Sequence, residues 1–278
     1  RLLMSKKIVV VGGVAGGAST AARVRRLDEH AQVVMFEKGP HVSFSNCSLP
    51  FHLSGIVESS NRLVLMNPVE FKKKYNIDAR IQSEVVKINR VQKTITVKNI
   101  LTGELYEESY DHLVLSPGAS PIVPNIEGVN GKHVFTVRNV ADIEKLNHFI
   151  HTIDAKNIAV IGGGFIGVEV AENLRLAERN VSLVEFAPQI LMPFDYDMVQ
   201  ILHKEMVDKE IELIVGDGLA KIEETSILLN SGKVLDADVV VLAIGVRPET
   251  SLAKEAGLEI GELGGIKVNA NYQTSDPA

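Results

Sequence analysis

The chain of 278 residues holds one cysteine, no tryptophan and only 5% aromatic residues. One cysteine cannot close an internal disulfide, so a disulfide framework is excluded and a reducing, cytoplasmic setting is expected. No apolar run approaches the ~20 residues that a membrane-spanning helix needs, and no membrane span is expected. Acidic residues outnumber basic ones, 35 to 29, so the basic stripe that nucleic acids require is missing and no nucleic-acid partner is expected. Nor do clustered histidines and cysteines suggest a metal site. What the sequence does have is glycine, 22 residues of it, and short runs rich in valine and isoleucine. That is the composition of tight turns between buried strands, in a chain long enough for one large domain or two ordinary ones.

The glycines fall into a repeat. "KKIVVVGGVAGGA" from Lys6 returns as "KNIAVIGGGFIGV" from Lys156. Each copy reads as a buried strand, a glycine turn and a helix, expected from Gly16 to about Glu29 and from Ile166 to about Arg179. A second apolar strand follows each helix and ends in an acid: "QVVMFEKGP" with Glu37, "NVSLVEFAP" with Glu185. The first copy alone, an apolar stretch behind two lysines, has the make-up of a secretory leader. Its return in mid-chain argues for a structural unit instead.

The spacing is specific. Gly17 precedes Glu37 by 20 positions and Gly167 precedes Glu185 by 18, close to the ~20 of a dinucleotide-binding unit. In such a unit the first glycine permits the turn and the last lets helix and strand pack closely. The helix N-terminus offers N–H groups to a pyrophosphate, and the acid accepts from ribose hydroxyls. The second copy, Gly162-Gly163-Gly164-Phe165-Ile166-Gly167, is complete. In the first, Gly12-Gly13-Val14-Ala15-Gly16-Gly17, Val14 replaces the middle glycine and limits how closely backbone and phosphate can approach.

The likeness of the two halves continues. "YDHLVLSPGASP" and "ADVVVLAIGVRP" each place an aspartate seven residues before a glycine, Asp111 before Gly118 and Asp238 before Gly245. A hairpin is expected before each, turning at Thr102-Gly103 and Ser231-Gly232. The expected fold is therefore α/β, with two tandem Rossmann-like dinucleotide-binding domains, each carrying a small β-hairpin or meander insertion. The first spans 4–120 and includes the cysteine loop; 121–150 connects; the second spans 151–250; and 251–278 ends the second domain and returns toward the first. Met4-Ser5-Lys6-Lys7 reads as a natural start.

The lone cysteine lies in "VSFSNCSLPF", Val42 to Phe51. Ser45 or Asn46 suits an N-cap, Pro50 a first turn, and Gly55 the end of a short helix. A thiol at a helix start has a lowered pKa and is reactive; the competing reading is a small buried hydrophobe. Ser19, Arg23 and Arg26, at steps of 4 and 3, share one helix face and suit phosphate. The competing reading there is a solvated face on which Asp28 and Glu29 answer Arg25 and Arg26. "FKKKY", from Phe71, is a further basic cluster.

Two such units in tandem, with a cysteine just after the first glycine unit, resemble the flavin- and pyridine-nucleotide-dependent disulfide reductases, over Met4 to Ala278. Ser43-Phe44-Ser45-Asn46-Cys47 is similar to the S-F-x-x-C loop of the single-cysteine group. Asn46 and Leu49-Pro50 resemble its coenzyme A disulfide reductase and coenzyme A-dependent persulfide reductase branch. The resemblance implies FAD on the first unit, held by Gly12, Gly13, Val14, Ala15, Gly16, Gly17, Glu37, Lys38, Asn46, Pro117 and Gly118. It implies NADH, with NADPH possible, on the second, held by Ile161, Gly162, Gly163, Gly164, Phe165, Ile166, Gly167, Glu169, Glu185 and Gly245. Phe165 corresponds to an aromatic gate over the flavin and Glu169 to an acid near the nicotinamide amide, against the plainer readings of a core residue and an ordinary helix charge. Glu185 favours NADH, because a 2′-phosphate would meet its carboxylate. Coenzyme A is implied at Ser19, Arg23, Arg26, Ser43 and Asn46, with Cys47 as the catalytic sulfur.

With one cysteine, the oxidised partner of Cys47 comes from outside, as a mixed disulfide, a persulfide or a sulfenic acid. The implied function is NAD(P)H-dependent reduction of coenzyme A disulfide or coenzyme A persulfide. The alternatives are an NADH oxidase or peroxidase cycling Cys47 through sulfenic acid, and a flavin-binding redox sensor without rapid turnover. The implied partners are a small-molecule disulfide or persulfide, and a second copy of the chain. In the family a C-terminal domain that forms the dimer follows the "TSDP" at which this sequence stops, so a fragment is expected, against the other reading of a chain that binds flavin poorly.

Overall fold

The computed structural model describes residues 5–278; Met4, the expected start, lies outside them. The chain forms two compact units. The first comprises residues up to Ser45 with 64–120 and 247–278, the second 46–63 with 121–246.

In chain order come β1 (Lys7–Val11), α1 (Ala15–Leu27), β2 (Gln32–Phe36), a short α2 (Pro50–Leu53) that groups with the second unit, α3 (Pro68–Tyr75) and β3 (Ile77–Arg80). Then follow β4 (Ser83–Asn89), β5 (Thr94–Asn99), β6 (Leu105–Ser109) and β7 (His112–Leu115). The parallel sheet of the first unit runs β3-β2-β1-β7. Successive residues of β1 point to opposite faces. Ile8 and Val10 pack with Ala21 and Phe71, while Val9 and Val11 pack with Val85, Ile95 and Val97 of the antiparallel β4-β5-β6 meander. Burial on both faces is why β1 reads as an unbroken apolar run.

The chain continues through β8 (Ala119–Pro121), β9 (Val134–Thr136), α4 (Val140–Thr152), β10 (Asn157–Ile161), α5 (Phe165–Leu176), β11 (Asn180–Glu185), α6 (Tyr196–Asp208) and β12 (Glu212–Val215). It then forms β13 (Leu219–Ile222), β14 (Ser226–Leu229), β15 (Val234–Asp236), β16 (Val239–Leu242), β17 (Val246–Pro248) and α7 (Ser251–Glu255). The second parallel sheet runs β12-β11-β10-β16-β9, and β13-β14-β15 form its antiparallel partner. Apart from β9 this is the strand order of the first unit over again. In each sheet the order reverses beside the strand that feeds the glycine turn, and ligands of open α/β sheets bind at such reversals.

Several expected boundaries move. α1 stops at Leu27, not near Glu29, because Asp28 is extended and its carboxylate accepts from His30 N (2.9 Å) and Ala31 N (3.2 Å), turning the chain toward β2. α5 stops at Leu176, and the left-handed Glu178 (φ 61°) makes the exit. Residues 121–150, read as a connection, contain β9 and most of α4.

The first unit is cross-linked by a small ionic group. Glu108 on β6 accepts from Lys7 Nζ on β1 and from Arg80 Nη1 on β3 (2.7 Å), and the Arg80 guanidinium lies 5.3 Å from the Phe36 ring centre. Burial alone would raise the Glu108 pKa; the hydrogen bonds from Lys7 and Arg80 outweigh it and hold the carboxyl below its usual range. A depressed folded-state pKa stabilises the fold above the unfolded pKa, and the contribution disappears as pH falls through the folded one. Glu108→Gln should therefore cost about 1–3 kcal/mol at neutral pH, leaving Lys7 and Arg80 without their acceptor. In urea titrations across the acid range, the gap between the variant and the parent should be flat above about pH 5 and close below it.

Candidate active site

The two glycine turns are built by the same contacts. Gly12 N–H donates to Phe36 O and Gly162 N–H to Val184 O, both at 2.8 Å. A Cβ on Gly17 would lie 1.7 Å from Gly12 O, and one on Gly167 would lie 1.8 Å from Gly162 O. Gly12 (φ 97°) and Gly162 (φ 107°) have left-handed backbones, and their Cβ positions would fall 1.9 Å from Ser116 O and 2.2 Å from Ala243 O. At Gly13 and Gly163 a side chain would strike Val42 (2.7 Å) and Ile190 (2.6 Å). Helix and strand therefore meet with only backbone between them, and each helix starts directly over the strand end.

The acids of the second strands have matching roles. Glu37 accepts from Gly13 N (2.9 Å) and Gly39 N (2.8 Å); Glu185 accepts from Gly163 N (2.6 Å) and Ala187 N (2.7 Å). Each carboxylate keeps lone pairs for further donors. Six residues beyond each acid a left-handed residue, Ser43 (φ 49°) or Leu191 (φ 48°), donates its N–H back to Gly13 O (2.7 Å) or Gly163 O (2.8 Å). In the sequence, Ser43 stands out only through its match to a coenzyme A-binding position of the resembled family. The backbone gives it this second task, and the repeated Val-Ser and Ile-Leu pairs carry no residue signature that would have revealed it.

Around these turns, Pro117 and Gly118 (φ 72°) follow β7, while Gly245 (φ 117°) follows β16. Ile161 is buried at the end of β10; Ala15 and Gly16 are exposed at the start of α1. Exposed Lys38 is close enough to Glu249 to help the hydrogen bond from Ser251 lower that carboxyl's pKa. Phe165 is 60% exposed and meets Phe194 edge-on, 6.0 Å between ring centres, so it is not a core residue. Glu169 follows one turn later and is half-buried.

On α1 the arginines divide. Arg25 is spent on backbone carbonyls, donating to Tyr75 O (2.7 Å), Asn76 O (3.0 Å), Asp28 O (3.2 Å) and Glu29 O (2.6 Å). The expected answer of Asp28 and Glu29 to both arginines is thus a carbonyl contact to Arg25 alone. Ser19, Arg23 and Arg26 are exposed and make no hydrogen bond or ion pair with a described residue. Ser19, Arg23, Arg26 and Ser43 belong to the first unit, Asn46 and Cys47 to the second.

Cys47 is an exposed free thiol in a 3₁₀ turn, Asn46–Ser48. The single short helix expected here is split: α2 begins at Pro50 with Leu49 as its N-cap and no side-chain cap, and Ser54 closes it before Gly55 (φ 79°). The segment's neck is closed by the Phe44–Val64 bridge and by Leu65 N–H donating to Ser43 O (2.8 Å). Three side-chain pairs tie the segment to α4 and α5: Ser54 Oγ donates to Asn173 Oδ1 (2.7 Å), Ser60 Oγ donates to Glu144 (2.5 Å), and His52 Nε2 lies 3.5 Å from Asn147 Nδ2. Of these six side chains only one carries a signal in the sequence: Asn173, an asparagine at a core position of an amphipathic helix.

The residues fit the two dinucleotides. α1 and α5 begin without a side-chain cap, so first-turn N–H groups remain for an anion. In front of α5 a Cβ on Gly164 would meet nothing within 4 Å, which leaves room for a phosphate to reach the backbone. Val14 occupies the matching place on α1 as its N-cap.

Known proteins bear on this arrangement. Residues 6–278 match the model of the pyridine nucleotide-disulphide oxidoreductase family. A coenzyme A disulfide reductase from Staphylococcus haemolyticus is 34% identical over 272 residues, covering 98% of this chain and 61% of its own. The crystal structure of reduced Bacillus anthracis CoADR-RHD superposes with a TM-score of 0.96 at 50% identity, over 98% of this chain and 50% of that one. A NAD-dependent persulfide reductase from A. fulgidus gives 0.94 at 33% identity, over 98% and 52%. This chain thus spans about three-fifths of the curated relative and about half of each solved structure, and it belongs to the pyridine nucleotide-disulphide oxidoreductase family.

Proposed function

We propose that this chain is the nucleotide-binding portion of an FAD-dependent NAD(P)H oxidoreductase that reduces coenzyme A disulfide or coenzyme A persulfide at Cys47. The observation that carries the reading is the lone exposed thiol on a segment bonded to α5, the helix that starts at the second glycine cradle. The similar coenzyme A disulfide reductase and persulfide reductase support the substrate class. In this reading the first glycine turn with Glu37 and Lys38 holds FAD, and the second with Glu185 holds NADH in preference to NADPH. The working protein is a homodimer in the cytoplasm.

FAD, when bound, relays the two electrons of a hydride from NAD(P)H. The Cys47 thiolate attacks one sulfur of the substrate's S–S bond and forms a mixed disulfide with coenzyme A. The departing sulfur leaves as thiolate or hydrosulfide and takes a proton. Two electrons and a proton then cleave the mixed disulfide, releasing coenzyme A thiol and restoring the Cys47 thiolate. The unpaired Arg23 and Arg26, one turn apart with Ser19, offer guanidinium donors for the phosphates of coenzyme A.

Three outcomes are expected. Intact-mass measurement on full-length protein, denatured without reductant, should lose one coenzyme A from Cys47 on adding dithiothreitol, and Cys47→Ser should abolish sulfur reduction while NADH still reduces the flavin. A free or singly oxygenated thiol that turns over peroxide or oxygen would establish the oxidase cycle instead. Replacing both Arg23 and Arg26 with alanine should raise KM for coenzyme A disulfide roughly tenfold or more with kcat little changed, as expected when charge-assisted bonds are lost. Gly164→Ala should leave Tm almost unmoved but weaken NADH binding roughly tenfold, the usual cost of one misplaced methyl; Gly167→Ala should fail to fold.

A further inference from the structure

Asn173 is the one polar residue with no exposed surface at all among the buried polar side chains described. It sits two turns beyond Phe165 and one beyond Glu169, on the same face of α5. Its Nδ2 donates to Glu169 O (2.9 Å) and its Oδ1 accepts from Ser54 Oγ (2.7 Å). The orientation of the amide follows from its partners: a carbonyl can only accept, so the NH₂ group faces Glu169 and the oxygen faces the hydroxyl, which must donate. Ser54 is the C-cap of α2 and lies seven residues after Cys47. Phe51 O, within α2 itself, lies 3.1 Å from the same hydroxyl and is a competing acceptor for its one proton.

Burying an amide costs free energy that leucine, equally long and apolar, would avoid. The position is otherwise a core position, between buried Ala171 and Leu174 on a helix lined by Val170. A polar group held there by one local and one long-range bond fixes a register. It sets where α2, and with it the turn bearing Cys47, rests along α5. The other two ties of the segment, at His52 and Ser60, run to α4 and so leave its place along α5 to Ser54.

We propose that Asn173 and Ser54 are a positioning pair that holds the Cys47 turn in register with the first turn of α5, and so with the nicotinamide-side residues Phe165 and Glu169. This rests on the reading of Cys47 as the redox sulfur. The pair touches no reacting atom; it acts through the helix on which the thiol is mounted.

The test uses the full-length, FAD-loaded protein, freed of any thiol on Cys47 with dithiothreitol and then desalted, with Asn173→Leu, Ser54→Ala, the double variant and Ser54→Thr. Asn173→Leu and Ser54→Ala should each slow the alkylation of Cys47 by iodoacetamide, and lower kcat with coenzyme A disulfide, by roughly five- to tenfold, the range of one net hydrogen bond. KM for NADH and the rate of flavin reduction by NADH should stay within twofold of the parent. The double variant should be no worse than the worse single one, because both remove one interaction. Ser54→Thr, which keeps the hydroxyl, should restore both rates. Rates of alkylation and turnover that stay at parental values, or that fall only in step with Tm and without rescue by Ser54→Thr, would overturn the pair. Should Cys47→Ser retain sulfur reduction, the failure lies in the assignment of Cys47 and not in Asn173.

Discussion

Each half of this molecule depends on one short contact, the approach of a helix to the strand before it with no side chain between. At Gly17 and Gly167 a methyl group would sit less than 2 Å from a carbonyl oxygen. Because nothing larger than hydrogen fits, α1 and α5 begin directly above the ends of β1 and β10, and their uncapped first turns face the point where each sheet reverses its strand order. Glu37 and Glu185 then brace the turns by accepting from Gly13 and Gly163 N–H. The glycine turn and the acid that follows it are thus joined by hydrogen bonds in each unit.

The duplication is not complete, and its departures indicate how the halves divide their work. Val14 fills the place that Gly164 leaves open. Arg23, exposed and unpaired on α1, stands at the repeat position of Asn173, which is wholly buried on α5. One helix of the pair leaves its outer face exposed; the other buries it beneath the segment that bears Cys47. The same supersecondary unit therefore occurs twice, once with a basic surface and once beneath the segment that carries the lone exposed thiol.

Much of this was legible in the residues because it depends on neighbours in sequence. The glycine spacings, the acid about 20 residues on, the aspartates seven residues before Gly118 and Gly245, and the alternation in the two meanders all arise within one strand–turn–helix unit, where a local rule decides the geometry. The cysteine helix was harder. Pro50 and Gly55 marked its ends correctly in kind, yet the break at Leu49 and the split into a 3₁₀ turn and α2 depend on how the segment lies over α5. Arg25 likewise looked like its neighbours in sequence, and only the C-terminal turn of α3, which offers it Tyr75 and Asn76 carbonyls, sets it apart.

By itself, then, the sequence determined the two α/β units, their glycine turns, their acids and the presence of a single thiol, since short-range sterics and apolar periodicity act without reference to the rest of the chain. Tertiary structure alone decided which partner each side chain has. Residues 46–63 group with 121–246, Ser54 meets Asn173, and Arg23 and Arg26 are left unpaired while Arg25 is consumed. These outcomes hinge on contacts between segments distant in sequence, whose geometry exists only once the unit that holds them has folded and brought donors within reach of their acceptors.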